Sequence, residues 1–219
     1  MKKFFKHNGL SLAFLIFFIV SLIAQSVTGL KEYNDGMEKD GGRQVTLTQY
    51  LSTGHFIEST FENWESEFLQ MGMFVILSVF LFQKGSSESK DPDKKEEVDR
   101  DPNPRRRNAP WPVRKSGFIS GVYKYSLSIA FFLLFLLSFI LHWYGSWDAY
   151  NEEQLLNNQP PRSALAYLAN NRFWFESFQN WQSEFLSVFA IIFLSIYLRH
   201  KGSPQSKPVD AANSETGAS

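Results

Sequence analysis

Phe61-Glu62-Asn63-Trp64-Glu65-Ser66-Glu67-Phe68-Leu69 recurs, with two Glu-to-Gln changes, as Phe178-Gln179-Asn180-Trp181-Gln182-Ser183-Glu184-Phe185-Leu186. The offset is 117 residues, and it holds in both directions without a gap. Downstream, Lys84-Gly85-Ser86 falls on Lys201-Gly202-Ser203, and Ser89-Lys90 on Ser206-Lys207. Upstream, Tyr50-Leu51 falls on Tyr167-Leu168, Tyr33-Asn34 on Tyr150-Asn151, and Leu10-Ser11 on Leu127-Ser128. Self-similarity at a fixed period is read before any other feature. It makes the chain two tandem copies of one unit.

Each copy holds two apolar runs. Gly9 to Leu30 is uncharged over its whole length, and Tyr125 to Trp147 contains only His142 as a titratable residue other than tyrosine. Both exceed the roughly 20 helical residues needed to cross a ~30 Å hydrocarbon layer. The second and fourth runs are shorter. Each continues a helical pattern that begins one to two turns earlier, so spans are expected at Glu67 to Gln83 and Glu184 to Arg199. Lys2, Lys3 and Lys6 followed by an apolar run also resemble a signal peptide. However, the run is longer than the usual 7–15 residues, and its counterpart lies mid-chain, so a retained span is expected. The expected fold is all-α: an integral membrane four-helix bundle from two tandem parallel repeats of a two-helix unit.

The basic residues are unevenly placed. Three precede the first run, eleven lie between Lys84 and Lys124, and three lie from Arg199 to Lys207. Only Lys31, Lys39 and Arg43 lie between the first two runs, and only Arg162 and Arg172 between the last two. Basic excess marks the cytoplasmic side, which predicts both termini inside and a multi-pass protein of the cell membrane. The copies then share one orientation, related by an axis along the membrane normal. The organisation expected is a first two-span repeat (1–84), a charged cytoplasmic linker (85–117), a second repeat (118–201) and a disordered cytoplasmic tail (202–219). Gly85 to Lys115 is rich in both charges and in proline, a composition that buries too little apolar surface to offset ordering entropy. Its Arg105, Arg106 and Arg107 suit anionic lipid headgroups.

Composition excludes several classes. The chain has no cysteine, hence no disulfide, thiol catalysis or thiolate-bound metal. Its 22 basic and 22 acidic residues balance, and no nucleic-acid motif is present. Neither a serine–histidine–aspartate arrangement nor a phosphate-binding glycine loop occurs, so no cofactor is expected and an enzyme is not. His55-x-x-Glu58 has helical metal-ligand spacing, but the second copy has Arg172 and Phe175 there. Gly117-x-x-x-Gly121 lies in a polar context and is weak as a dimer motif. Small residues at Ser11, Ala13 and Ser21, with Ser128, Ala130 and Ser138, suit close helix packing. His142 aligns with Gln25 and reads as a polar interface residue.

Helical spacing sorts the quoted stretch into faces. Phe61, Trp64 and Phe68, with Phe178, Trp181 and Phe185, form an aromatic face suited to anchoring at the membrane interface. A polar stripe joins Asn63, Glu67 and Gln70, and in the other copy Asn180, Glu184 and Ser187. Glu67 and Glu184 are the best functional candidates, because an ionisable group at the edge of hydrocarbon usually faces a cavity or a partner. The competing reading is structural: each hydrogen-bonds at headgroup depth. Glu58, Glu62 and Glu65 become Phe175, Gln179 and Gln182, and that variation reads as solvated surface.

The chain resembles a group of bacterial four-span membrane proteins catalogued only as a domain of unknown function. ENWESEFLQ, QKGSSESKDPD, APWPVRK, AYNEEQ, FWFESFQNWQSEFLS and LRHKGSPQSKPVDA carry the resemblance, in that order. It implies a bacterial inner-membrane location and the duplicated architecture, and supplies no activity. Two functional expectations follow. One is a non-enzymatic scaffold or accessory subunit, with a homo-oligomer or another membrane protein as partner. The other is a small bundle conducting ions, protons or solute through Glu67 and Glu184.

Overall fold

The computed structural model describes residues 2–115 and 117–217. It is all-helical, with 67% of residues in helix and no strand among those described. Four long helices dominate: α1 (Lys2–Lys39), α3 (Gly54–Phe80), α6 (Ser126–Leu156) and α8 (Asn171–Tyr197). Short helices α2 (Leu47–Tyr50) and α7 (Ala164–Tyr167) precede α3 and α8, while α4 (Trp111–Arg114) and α5 (Phe118–Lys124) precede α6. Helices α1 and α6 continue past Leu30 and Trp147, whereas α3 and α8 begin well before Glu67 and Glu184 and stop at Phe80 and Tyr197, short of Gln83 and Arg199. Helix α3 starts more than three turns before Phe68, because its amphipathic first half finds packing partners that a hydropathy window cannot see. Of the four, α1 and α6 are long and apolar enough to cross a membrane.

The chain forms two compact units. The first comprises Met1–Glu62 with Phe139–Phe173, the second Asn63–Ser138 with Trp174–Ser219. Each unit therefore draws on both halves of the sequence.

In the first unit, the same turn is built twice. Just past the end of α1 at Lys39, Gly41 takes the left-handed conformation (φ 75°), and Gly42 N–H donates to the Met37 carbonyl (2.7 Å). Just past the end of α6 at Leu156, Asn158 does the same (φ 55°), and Gln159 N–H donates to the Gln154 carbonyl (2.7 Å). Both are six-to-one closures that satisfy carbonyls orphaned at a helix end. The returning chain is then clasped by an asparagine one turn from each helix end. Asn34 accepts from Val45 N–H (2.8 Å) and donates to Val45 C=O (3.0 Å). Asn151 does the same with Arg162, at 2.8 and 3.0 Å. Helices α2 and α7 follow, capped by Thr46 and Ser163, and each ends on a fully buried tyrosine, Tyr50 and Tyr167. Helices α3 and α6 meet backbone to backbone: a Cβ added at Gly145 would strike Glu58 N, and one at Gly54 would strike Ala149 N.

In the second unit, Gly72 admits Phe132, whose ring lies 3.2 Å from where a Cβ would stand. Phe135 meets Trp181 edge-on at 6.4 Å. Large apolar side chains point outward over much of the surface, among them Phe80, Leu133, Leu186, Phe189 and Leu194.

Candidate functional site

The first unit holds a polar cluster that divides between α3, α6 and the start of α8. Glu58 is buried, and its Oε1 accepts from Ser146 Oγ and from Arg172 Nη2, both at 3.3 Å. Arg172 Nη1 also donates to Glu153 Oε2 at 2.9 Å. Ser146 Oγ shares a 2.7 Å bond with the Tyr167 hydroxyl. Beside them Tyr33 donates to Glu152 Oε1 at 2.7 Å. His55 Nε2 faces Glu32 at 3.0 Å, and its Nδ1 faces the Tyr50 hydroxyl at 3.1 Å. Burial, with the Glu32 charge adding, pushes the Tyr50 phenol up to about 12. A buried charge is tolerated only when paired and hydrogen-bonded, and Glu58 meets that condition through residues of the other sequence half.

This corrects the reading of Glu58 and Glu65 as solvated surface. Glu58 is 7% exposed and Glu65 is fully buried. Arg172, which lies 117 positions after His55, supplies the charge that the buried Glu58 requires. His142, expected at a polar interface, is also fully buried and packs on the Phe173 ring at 4.8 Å. His55 and Glu58 turn toward different partners, one to Glu32 and Tyr50, the other to Arg172 and Ser146. The signal available in the sequence was charge complementarity across the repeat.

The second unit holds the expected polar stripe, of which three members converge. Gln70 Nε2 donates to the Glu184 carbonyl (2.9 Å) and to Ser187 Oγ (2.8 Å), and Ser187 Oγ donates to the same carbonyl (2.8 Å). Asn180 donates to the Glu176 carbonyl on its own helix (3.1 Å). Asn63 and Glu67 are exposed, while the Glu184 side chain is partly covered and feels the Glu67 charge. The stripe thus joins α3 to α8 through an amide, a hydroxyl and a backbone carbonyl.

The aromatic anchors divide. Phe61, Trp64 and Phe68 are half-buried, whereas Phe178 and Phe185 are exposed. Trp181, expected as an interfacial anchor, donates its N–H to the buried Glu65 Oε1 at 2.8 Å. Its ring meets Phe178 edge-on at 5.4 Å, and Phe178 stacks on Trp174 at 5.7 Å.

The segments expected to be unfolded carry defined bonds in this unit. Lys90 Nζ donates to Asp99 Oδ1 at 2.6 Å, and Asp91 N–H donates to Glu96 Oε1 at 2.9 Å. The tail from Gly202 is wound around Lys207. That ammonium is 2% exposed and donates to the carbonyls of Ala212 (3.1 Å), Asn213 (3.1 Å) and Glu215 (2.8 Å). Burial, with Arg199 beside it, lowers the Lys207 pKa. Three carbonyls match the three donors of an ammonium. Gly85 N–H donates to Thr216 Oγ1 (2.9 Å), Gly217 N–H to the Ser86 carbonyl (2.9 Å), and Ser86 Oγ pairs with Ser195 Oγ (2.9 Å). Composition pointed to disorder because it counts apolar area; it does not register that one ammonium and a few serines can order a short segment through backbone carbonyls. Arg105, Arg106 and Arg107 are exposed.

A family model described as Domain of unknown function (DUF6766) matches residues 1–218. No curated protein and no solved structure matches the chain.

Proposed function

The chain belongs to that family, whose function is unknown, and from this premise we propose that it is a bacterial inner-membrane protein, a non-enzymatic scaffold or accessory subunit. Its four long helices cross the bilayer as a bundle of two tandem copies, with both termini cytoplasmic. The bilayer reading is supported by exposure: none of the most apolar stretch of α1, and 11% of that of α6, is buried within the protein. So much contiguous apolar surface is a liability in water and normal in lipid. The duplication is supported by helix ends, turns and clasps that recur 117 positions apart.

The observation that carries the scaffold reading is the use made of the polar stripe. Gln70, the Glu184 carbonyl and Ser187 spend their hydrogen-bonding capacity on joining two helices, which favours a rigid frame over an ion path. Partners of this frame are the bilayer, anionic headgroups at Arg105, Arg106 and Arg107, and a second copy or another membrane protein. Native mass spectrometry of the protein released gently from its own membranes tests the reading. A stoichiometric protein partner is expected; a chain carrying lipid alone would overturn it.

The conducting reading has one observation in its favour, the partly covered Glu184 with the Glu67 charge acting on it. It requires that Glu67→Gln and Glu184→Gln abolish ion flux in reconstituted vesicles while assembly persists. Topology has a direct test, because the chain lacks cysteine. Single cysteines placed at Ser87 and at Asn157 should label from opposite sides of the membrane.

A further inference from the structure

Two cavities in the second unit share Phe74, Ser78, Glu88 and Ser89 and so form one continuous groove. The first, about 280 Å³, is lined mainly by apolar side chains of α3, α8 and the segment after α3, including Phe74, Leu77, Phe82, Phe185, Val188 and Ile192. The second, about 590 Å³, is lined by the polar side chains of Glu88, Lys90, Glu96, Asp99 and Gln205. Polarity therefore grades along the groove from a hydrocarbon-like end to a charged one. The charged end is acidic: three carboxylates face one ammonium, and that ammonium, Lys90, is already committed to Asp99 at 2.6 Å.

Glu88 stands where the two ends join. With its amide nitrogen turned toward the carboxylate, Gln205 donates to both Glu88 oxygens, at 2.6 and 3.0 Å. A carboxylate offers about four lone-pair sites, so acceptor capacity remains toward the cavity. Burial raises the Glu88 pKa, and a hydrogen bond with Ser87 opposes that rise. A cation in the groove would relieve the burial cost of the charged form.

We propose that this groove is a binding site for a phospholipid with a primary-amine headgroup: one acyl chain lies along α3 and α8, and the ammonium meets Glu88. Charge complementarity selects this occupant. A glycerol headgroup offers no cation to Glu88, and an anionic lipid would bring its charge toward three carboxylates. The site is specific to one end of the sequence repeat: Glu88 aligns with Gln205, so the position that carries the acid in the first copy carries its amide partner in the second.

The inference rests on the bilayer reading above, and the test separates the two. Carbonate extraction of membranes comes first. Release of the full chain into the soluble fraction would overturn both readings, whereas retention leaves the bilayer reading standing. The retained protein, purified in mild detergent doped with equal dioleoyl-phosphatidylethanolamine and dioleoyl-phosphatidylglycerol, is then weighed by native mass spectrometry. One phosphatidylethanolamine per chain is expected, preferred about tenfold or more, as a charge-assisted hydrogen bond predicts. Glu88→Gln should reduce that preference to near unity while leaving one lipid bound. Val188→Trp, which fills the apolar end, should reduce occupancy by either lipid. Equal retention of the two lipids by the unmodified chain overturns the proposal. So does an unchanged preference in Glu88→Gln, a variant that keeps the shape of the side chain and needs no rearrangement to fold.

Discussion

Asn34 and Asn151 occupy matching positions and make matching bonds, each clasping both backbone groups of the residue eleven positions later. Glu58 and Phe175 also occupy matching positions and have nothing in common. One is a buried acid bonded to Ser146 and Arg172; the other is an exposed ring. On the proposed duplication, the difference teaches what identity at positions 117 apart records. Residues that serve their own copy, by closing a turn or capping a helix, meet the same demand twice and keep the same side chain. Residues that serve contact between the copies meet a partner, and two identical acids cannot satisfy one another. Divergence is thus a sign of meeting surfaces.

Four changes break or sharpen this comparison. The largest effect is expected where the copies touch backbone to backbone. Gly145→Val drives a side chain into Glu58 N and Ile57, and overpacking there should cost about 3 kcal/mol. Thr28→Val, at the matching and exposed position of α1, should stay within about 0.5 kcal/mol. Unfolding by sodium dodecyl sulfate titration from mild detergent, followed by far-UV circular dichroism, reads both. Similar costs at the two positions would remove the distinction between internal and meeting surfaces.

Arg172→Leu comes next. It strands the Glu58 carboxylate, and a stranded buried charge costs 3–5 kcal/mol when deep. Because the Arg172 side chain is 41% exposed, about 2 kcal/mol is the appropriate expectation. Combining it with Glu58→Gln should recover most of the loss. A double-mutant cycle showing additivity would mean the pair is incidental. The two clasps rank third: Asn34→Ala and Asn151→Ala should each cost ~1–2 kcal/mol and should agree with one another. Unequal losses would show that the shared geometry hides unequal roles. Smallest of all, Glu67→Gln and Glu184→Gln should change stability by less than about 0.5 kcal/mol and leave oligomeric state, read by size-exclusion chromatography, unaltered.

The legible part of this structure was the part written in periodicity. Apolar runs located α1 and α6, and the matching of Tyr33-Asn34 with Tyr150-Asn151 anticipated a repeated turn without saying what the asparagines bond to. Two kinds of information stayed hidden. Helix ends were missed because amphipathic turns flanking a hydrocarbon-length run carry too little hydropathy: α6 continues to Leu156, nine residues beyond Trp147. The groove at Glu88 was missed because the segment that shapes it is mostly polar, and its order comes from individual hydrogen bonds such as that of Ser86 with Ser195. Gln70, Glu184 and Ser187 show the middle case: spacing put them on facing stripes without showing that the Gln70 amide bonds to the Glu184 carbonyl and the Ser187 hydroxyl.

Tyr33 waits for Glu152, a partner 119 residues further along the chain. A ribosome adding ~5–20 residues each second needs roughly 6–24 s to deliver it. Throughout that interval Tyr33 packs on Tyr50 and His55, while the acceptor of its hydroxyl and the backbone that Gly54 lies against, at Gly145 and Ala149, have yet to be made. The early half therefore completes these contacts only after the late half has emerged. Because the two halves are joined by a long charged stretch, they should also be deliverable as separate polypeptides that find each other after synthesis.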